Sequence, residues 1–335
     1  MPYLGVAMRT LYARFCLCFT LIAALEIYAQ DYTLRTKDVQ IKAYDASFYK
    51  LIDKKAKAFV LYDKGIWLEG PIMLPDKSLI FSDVKANKVL RYEKNRGVGV
   101  YLSPSHFQNG HTLDTNGSLI AASHGKRSIE RFENGKWDIL VDSYQGKKFN
   151  SPNDCIVHSN GDIYFTDPAF GINNTQESYG GKIEQDGEYV YRYTPKNKKL
   201  VRLHTPLLKA PNGLALSPDE KTLYIADSQR AYNTKDSTLH AQIIAYTLGQ
   251  DKNLSEELVF ATFKEGFPDG IKVDSLGNVW ASGKRGILVF SPQGMLLGEI
   301  VLGNVVSNLA FGEDEAKKSV LYITAKNELI KIELP

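Results

Sequence analysis

The chain has 335 residues, of which 44% are hydrophobic and 24% charged, a composition typical of folded globular proteins and not of disordered or fibrous ones. Its 41 basic and 38 acidic side chains leave a formal net charge of +3 and form no basic block. Composition therefore gives no reason to expect a nucleic-acid partner or an anionic membrane surface.

Residues 1–29 predict a secretory signal peptide. Arg9 and Arg14 precede a short apolar run at residues 15–25, and the small residue Ala29 follows it. The alternative is a buried first helix or strand. A transmembrane helix is not expected, because the run is too short to span a bilayer comfortably. We therefore expect an exported protein, periplasmic or secreted, with no membrane span in its mature form. Its one remaining cysteine would be Cys155, which allows no intramolecular disulfide.

One phrase recurs six times along the rest of the chain: a polar residue, an apolar strand, a turn and a second apolar strand. We call the first polar residue of each phrase its anchor. Successive anchors are 40, 44, 59, 57 and 39 residues apart, and they are Glu69, Asn109, Asn153, Asn212, Asp269 and Asn308. Such spacing is typical of four-stranded propeller blades, with the longer gaps explained by insertions at residues 171–189 and 229–242.

These repeats predict an all-β fold, a six-bladed β-propeller that forms a single domain over residues 30–335. Sustained helical periodicity is almost absent, and third and fourth strands follow the first two in each unit. We expect a segment near residues 57–61 to join the last blade and close the ring, because closure removes exposed sheet edges.

The anchors predict a binding site, because the innermost strands of a propeller line its central channel and each anchor lies just before such a strand. Carboxylate and amide oxygens without thiolates or paired histidines suit Ca²⁺, Mg²⁺ or Mn²⁺ better than structural zinc. Glu69 and Asp269 would balance one dication, and Asn153 and Asn212 would add neutral oxygens. From the pattern alone, turn-forming residues before strands explain these anchors about equally well.

A family resemblance strengthens the metal hypothesis. The phrases that carry it are WLEGP, FSDVKANKVLRY, FNSPNDCIVHSNGDIYFTDP, APNGLALSPDEKTLYIADS, PDGIKVDSLGNVW and SNLAFGEDE with LYITA. From Trp67 to its C-terminus the chain resembles the gluconolactonase and regucalcin-like (senescence marker protein) family of calcium-dependent six-bladed propellers. The resemblance implies hydrolysis of a sugar lactone such as glucono-1,5-lactone. It also implies a cation, calcium or else Mg²⁺, Mn²⁺ or Zn²⁺, with the ligands Glu69, Asn153, Asn212 and Asp269.

Asp269 is the expected general base, since its carboxylate can both touch the metal and accept a proton from water. Asp154 is the second candidate, or alternatively a residue that orients Asn153. Candidates for substrate contact, each also explicable as a turn or structural residue, are Asn109, His111 and His124.

Two other functions stay open at this stage. The same scaffold could carry an ester or phosphotriester hydrolase, or it could be a binding propeller whose calcium is purely structural. No motif in the sequence indicates a protein partner.

Overall fold

The computed structural model describes residues 35–314 and 316–335. The predicted signal peptide lies outside these residues. The regular secondary structure of the described residues is almost all β-strand, and their two helices are short 3₁₀ segments, Ala46–Lys50 and Gln229–Tyr232. Within residues 35–314 and 316–335, no helix is long and apolar enough to cross a membrane.

Six antiparallel sheets of four or five strands follow one another along the chain as blades 1 to 6. The strands before blade 1 are β1 (Arg35–Lys37), β2 (Gln40–Ala43) and β3 (Ala58–Tyr62). Blade 1 contains β4 (Leu68–Met73), β5 (Leu79–Asp83), β6 (Lys88–Glu93) and β7 (Gly97–Leu102). Blade 2 contains β8 (Gln108–Leu113), β9 (Leu119–Ser123), β10 (Ser128–Glu133) and β11 (Lys136–Val141). A small hairpin follows, formed by β12 (Ser143–Tyr144) and β13 (Lys147–Lys148).

The remaining blades repeat this pattern. Blade 3 contains β14 (Cys155–Val157), β15 (Ile163–Asp167), β16 (Tyr189–Thr194) and β17 (Lys199–Arg202). Blade 4 contains β18 (Pro211–Leu216), β19 (Thr222–Asp227), β20 (Gln242–Leu248) and β21 (Leu254–Thr262). Blade 5 contains β22 (Ile271–Val273), β23 (Val279–Gly283), β24 (Gly286–Phe290) and β25 (Leu296–Val301). Blade 6 contains β26 (Asn308–Glu313), β27 (Ser319–Ala325) and β28 (Glu328–Glu333).

The first strand of every blade lies next to the central channel. Around the axis β4 contacts β8, β8 contacts β14, and β14 contacts β18; the ring continues through β22 and β26 and returns to β4. Six blades around one channel confirm the predicted propeller, and they bring the starts of six distant strands to one place.

The N-terminal strands complete the two last blades. β3 pairs antiparallel with β28, with Val60 opposite Ile330, which confirms that the segment near residues 57–61 closes the ring. β1 then pairs with the outer side of β3, and β2 pairs with β25 of blade 5. These two outer strands were not predicted, because segments this short carry little hydrophobic alternation.

The hydrophobic core lies between neighbouring blades. Between blades 2 and 3, Ile120 and Ala122 pack with Phe165 and Tyr191, whose rings stack with centroids 5.4 Å apart. Each blade therefore buries one face against the next, which holds the channel-lining strands at fixed positions.

Candidate metal and active site

Five of the six anchors line one cavity of about 360 Å³ at the end of the channel where the innermost strands begin. They are Glu69, Asn109, Asn153, Asn212 and Asp269. All four residues proposed as metal ligands are therefore brought together. Asn308 is not among the described residues that line the cavity; its Oδ1 accepts hydrogen bonds from the Leu309 backbone at 2.9 Å and from Lys272 Nζ at 3.4 Å.

Bulges in the innermost strands accompany the anchors. The register of β4 shifts between Glu69 and Ile72, that of β8 between Gln108 and His111, and that of β18 between Pro211 and Leu214. A bulge interrupts the strict alternation of side chains and re-aims the residue within it. Anchors in three blades therefore lie at irregular positions where their side chains can face the cavity.

The glycine that follows an anchor permits close contact between neighbouring innermost strands. Gly110 N donates to Asn153 O at 2.8 Å, and Gly213 N donates to Asp269 O at 3.0 Å. A Cβ on Gly213 would lie 2.3 Å from Asp269 O, and one on Gly110 would lie 2.3 Å from Asp154 Oδ1. These Asn-Gly pairs thus serve the approach of adjacent blades and not a hairpin turn.

Three aspartates at the ends of second strands fix the backbone in front of the anchors. We call Asp83, Asp167 and Asp227 the strand-end aspartates. Each carboxylate accepts hydrogen bonds from the two backbone N–H groups that lie two and three residues before the anchor of its blade. The pairs are Ile66 and Trp67 to Asp83 at 3.1 Å each, Asn150 and Ser151 to Asp167 at 2.9 Å each, and Lys209 and Ala210 to Asp227 at 3.3 and 3.0 Å.

The two acidic anchors of the cavity, Glu69 and Asp269, lie close enough for their charges to interact. Glu69 accepts a hydrogen bond from Trp67 Nε1 at 3.2 Å, and burial raises its pKa well above the usual value, with further rises from Asp269 and Asp154. Burial and the Asp154 charge raise the pKa of Asp269 to about 8, although the Asn212 side chain donates a hydrogen bond that lowers it. Concentrated negative charge in a buried site is what a bound cation relieves.

The residues present fit a divalent cation. Asn212 donates its amide to Asp269, while its Oδ1 is buried and has no hydrogen-bond partner in the described chain. A buried carbonyl oxygen of this kind needs a partner, and a cation supplies one. The described residues contain no cluster of three His, Cys, Asp or Glu side chains suited to a metal, so a site here depends on the amides as well as the acids.

Asp154 lies next to the site and faces a different partner. It is not among the described residues that line the cavity; its Oδ1 accepts from Cys155 N at 2.9 Å, and its Oδ2 is 3.8 Å from Lys272 Nζ. Burial raises the pKa of Asp154 despite that lysine. A position outside the cavity argues against Asp154 as the base, and its role in orienting Asn153 stays a prediction.

Both candidate histidines are buried and hydrogen-bonded to site residues. His111 Nδ1 is 3.0 Å from Gly70 O, and His124 Nε2 is 3.2 Å from Asn109 Nδ2. Burial lowers the pKa of both imidazoles to about 4, so they are neutral at physiological pH. In the described structure neither ring lines the cavity, and their contact with substrate stays a prediction. Asn109 does line it.

The insertions contribute residues that the sequence did not single out. Asn173, Asn174 and Glu177 from residues 171–189 and Tyr232 from residues 229–242 line the cavity, so both insertions reach it. Further lining residues that were missed are Trp67, Lys85, Phe170, Ala231 and Phe267. The one available signal was position, since both insertions join second to third strands at the anchor end of their blades.

Comparisons with known proteins cover the same region. A family model described as SMP-30/Gluconolactonase/LRE-like region matches residues 67–327, which include all six anchors. A gluconolactonase from Zymomonas mobilis is 33% identical over 293 residues, covering 79% of this chain and 78% of that protein. A pentonolactonase from Haloferax volcanii is 23% identical over 276 residues, covering 76% and 80%. The solved structure of a gluconolactonase from Xanthomonas campestris has a TM-score of 0.82 and 33% identity, covering 90% of this chain and 97% of its own.

Proposed function

The chain belongs to the SMP-30/gluconolactonase/LRE-like family, and we propose that it is a metal-dependent hydrolase that opens a sugar lactone. The observation that carries this proposal is the convergence of Glu69, Asn153, Asn212 and Asp269 on one cavity. The activities named for its relatives from Zymomonas and Haloferax support lactones as the substrate class. Glucono-1,5-lactone is the first substrate to test.

We propose Ca²⁺ as the cation. Two carboxylates and two amide oxygens are hard ligands, and calcium accepts six to eight oxygens, which leaves positions for water and substrate. Glu69 and Asp269 would neutralise the dication, while Asn153 and Asn212 would complete the protein ligands. When bound, the cation would polarise the lactone carbonyl and stabilise negative charge on its oxygen.

Asp269 is the proposed general base. Its carboxylate would accept a proton from water as the water oxygen bonds to the carbonyl carbon. The ring C–O ester bond then breaks, and the ring oxygen takes up a proton to become the hydroxyl of the product hydroxy acid. Asn212 orients the Asp269 carboxylate through its amide hydrogen bond. Asp154, beside Lys272, would help to position Asn153.

Export remains a proposal that rests on the sequence of residues 1–29. Cell fractionation of the full chain and of a chain that lacks residues 1–29 tests it. Export predicts that only the full chain reaches the periplasm or the medium; equal retention in the cytoplasm would contradict it.

The decisive experiment for the hydrolase is a substrate panel assayed with and without chelator. Purified protein is tested on glucono-1,5-lactone, a second aldonolactone and a phosphotriester, and single metals are then added back. We expect lactone hydrolysis that chelator abolishes and Ca²⁺ restores. Turnover that resists chelator would refute the metal dependence. Preference for the phosphotriester would favour the other hydrolase, and absence of all turnover in metal-loaded protein would favour a binding propeller.

A further inference from the structure

The cavity contains an ion pair outside the proposed metal ligands. Glu177 Oε1 lies 3.4 Å from Lys85 Nζ, and both side chains line the cavity. Lys85 follows β5 of blade 1, whereas Glu177 belongs to the insertion of blade 3, so the pair joins the insertion to another blade. It is partly exposed, with 25% of the lysine and 15% of the glutamate side chain accessible.

Neighbouring side chains hold this pair in place. Asn174 Nδ2 donates to Glu177 Oε1 at 3.0 Å, and Lys85 Nζ lies 5.1 Å from the centre of the Trp67 ring. In the described structure both polar contacts of the Glu177 carboxylate use Oε1. Oε2 of this cavity-lining residue is therefore available as a hydrogen-bond acceptor.

The charges of the lining favour a neutral ligand. Its charged residues are three carboxylates and one ammonium: Glu69, Glu177, Asp269 and Lys85. With a dication on Glu69 and Asp269, and Lys85 paired with Glu177, the net charge of the lining and the cation would be zero. A substrate with a phosphate or carboxylate would compete with Glu177 for the one ammonium that the described residues place on the lining.

The rest of the lining suits a polyhydroxylated ring. Phe170 and Tyr232 lie against each other with ring centroids 4.8 Å apart, and they offer an apolar surface for the C–H face of a sugar. Amide side chains provide donors and acceptors for hydroxyl groups, and Asn173 and Asn174 lie beside Glu177 in the chain.

We propose that Glu177 and Lys85 form a specificity element that recognises a substrate hydroxyl and selects neutral polyhydroxylated lactones over phosphorylated lactones and lactones without hydroxyls. Glu177 Oε2 would accept from the hydroxyl, and Lys85 would hold the carboxylate in place. This inference rests on the proposed lactone hydrolysis and adds the substrate class.

Three lactones separate the contributions: glucono-1,5-lactone, δ-valerolactone, which has no hydroxyls, and 6-phosphoglucono-1,5-lactone. Glu177→Gln should raise KM for the first by about tenfold with little change in kcat, because a charged hydrogen-bond acceptor is lost. KM for δ-valerolactone should not change. The kcat/KM for the phosphorylated lactone should rise by about tenfold, because Lys85 is no longer neutralised.

Glu184→Gln is the matched control. Glu184 belongs to the same insertion and pairs with Arg127 at 3.5 Å, yet it is not among the described residues that line the cavity. It should leave all three KM values unchanged. Identical behaviour of the Glu177 and Glu184 variants would overturn the inference and leave the lactonase proposal intact.

Two further measurements keep the test decisive. Lys85→Met, which keeps the Glu177 carboxylate, should lower kcat/KM for the phosphorylated lactone below the wild-type value. It replaces Glu177→Gln if that variant fails to fold. Calorimetric titration with gluconolactam, a neutral analogue of the lactone that resists hydrolysis, measures binding without turnover. Glu177→Gln should weaken its Kd by about tenfold; an unchanged Kd would overturn the inference. Failure of the wild type to hydrolyse any lactone would instead reject the proposed function.

Discussion

The four proposed ligands are held in two different ways. In blades 1, 3 and 4, a strand-end aspartate binds two backbone N–H groups just before Glu69, Asn153 or Asn212. Blade 5 has Gly283 at the end of its second strand, and the backbone N–H of Asp269 donates to Ser282 Oγ at 2.9 Å. Blade 5 therefore lacks a strand-end carboxylate, and its neutral hydroxyl binds the N–H of the anchor itself and not the N–H groups before it.

The two arrangements match two different proposed roles. As ligands alone, Glu69, Asn153 and Asn212 need only a fixed position, whereas Asp269 also needs a carboxylate that accepts a proton. Charge-assisted bonds hold the backbone before Glu69, Asn153 and Asn212 more strongly than a neutral hydroxyl holds Asp269. The Asp269 carboxylate is oriented instead by the Asn212 amide from blade 4, and burial and the Asp154 charge raise its pKa to about 8. We therefore expect changes at Asp269 to affect the chemical step, and changes at the strand-end aspartates to affect metal binding.

The largest effect is expected from Asp269→Asn. The amide keeps the size of the carboxylate but cannot accept a proton, so kcat should fall about a thousandfold at saturating metal while the protein stays folded. Stopped assays with glucono-1,5-lactone and circular dichroism melting measure the two quantities. Near wild-type turnover would remove Asp269 from the mechanism.

Asp154→Asn is the control for that variant. Asp154 is also a buried aspartate beside the site, but its Oδ2 lies 3.8 Å from Lys272 Nζ and it is not among the described residues that line the cavity. Its kcat should fall far less than that of Asp269→Asn, by about tenfold. A loss as large as that at Asp269 would exchange the two roles.

Metal affinity should rise with pH between about 6 and 9. Burial raises the pKa of Glu69, and raises that of Asp269 to about 8, so metal-free protein carries protons that the cation must displace. Each displaced proton steepens the dependence by up to about tenfold in Kd per pH unit. Calcium titration calorimetry in buffers of different ionisation heat counts these protons; a Kd independent of pH would contradict the coupling.

The stability of metal-free protein should show the opposite trend. An acid whose pKa is higher in the folded protein than in the unfolded chain stabilises the fold at low pH, and this contribution is lost as pH rises through the folded value. In chelator, the Tm should therefore decrease as the pH rises from the usual aspartate range to about 8, the value to which burial raises the pKa of Asp269, and should level off above it. Added Ca²⁺ should raise Tm most at the alkaline end. If Ca²⁺ raised the Tm by the same amount at every pH, calcium binding would displace no protons.

The sequence predicted the part of the site that repeats. Recurring anchors before apolar strands identified the blades and the residues that meet at the channel, because a propeller brings equivalent positions of successive repeats together in space. Glu177 and Lys85 do not repeat, and the loop that carries Glu177 has no hydrophobic period from which its path follows. The pairing of β2 with blade 5 was missed for the same reason, since it depends on tertiary contacts of a four-residue strand.

Asp83→Asn tests the role of the strand-end aspartates. The amide puts an NH₂ donor in place of one of the two oxygens that accept from Ile66 and Trp67, so the backbone before Glu69 should shift and the Kd for Ca²⁺ should rise by about 10- to 100-fold. Asp114→Asn is the matched control, because Asp114 also accepts from two backbone N–H groups, those of Asn116 and Ser118 at 2.9 Å each. Those bonds lie in the turn between β8 and β9 of blade 2, at the end of these strands that faces away from the cavity.

Both variants should lose about 1–3 kcal/mol of unfolding free energy in chelator, since each leaves backbone donors poorly paired. Only Asp83→Asn should also weaken metal binding, which calorimetry measures independently of turnover. Equal calcium affinity in the two variants would reduce the strand-end aspartates to turn-stabilising residues. The difference between blade 5 and blades 1, 3 and 4 would then concern stability and not the site.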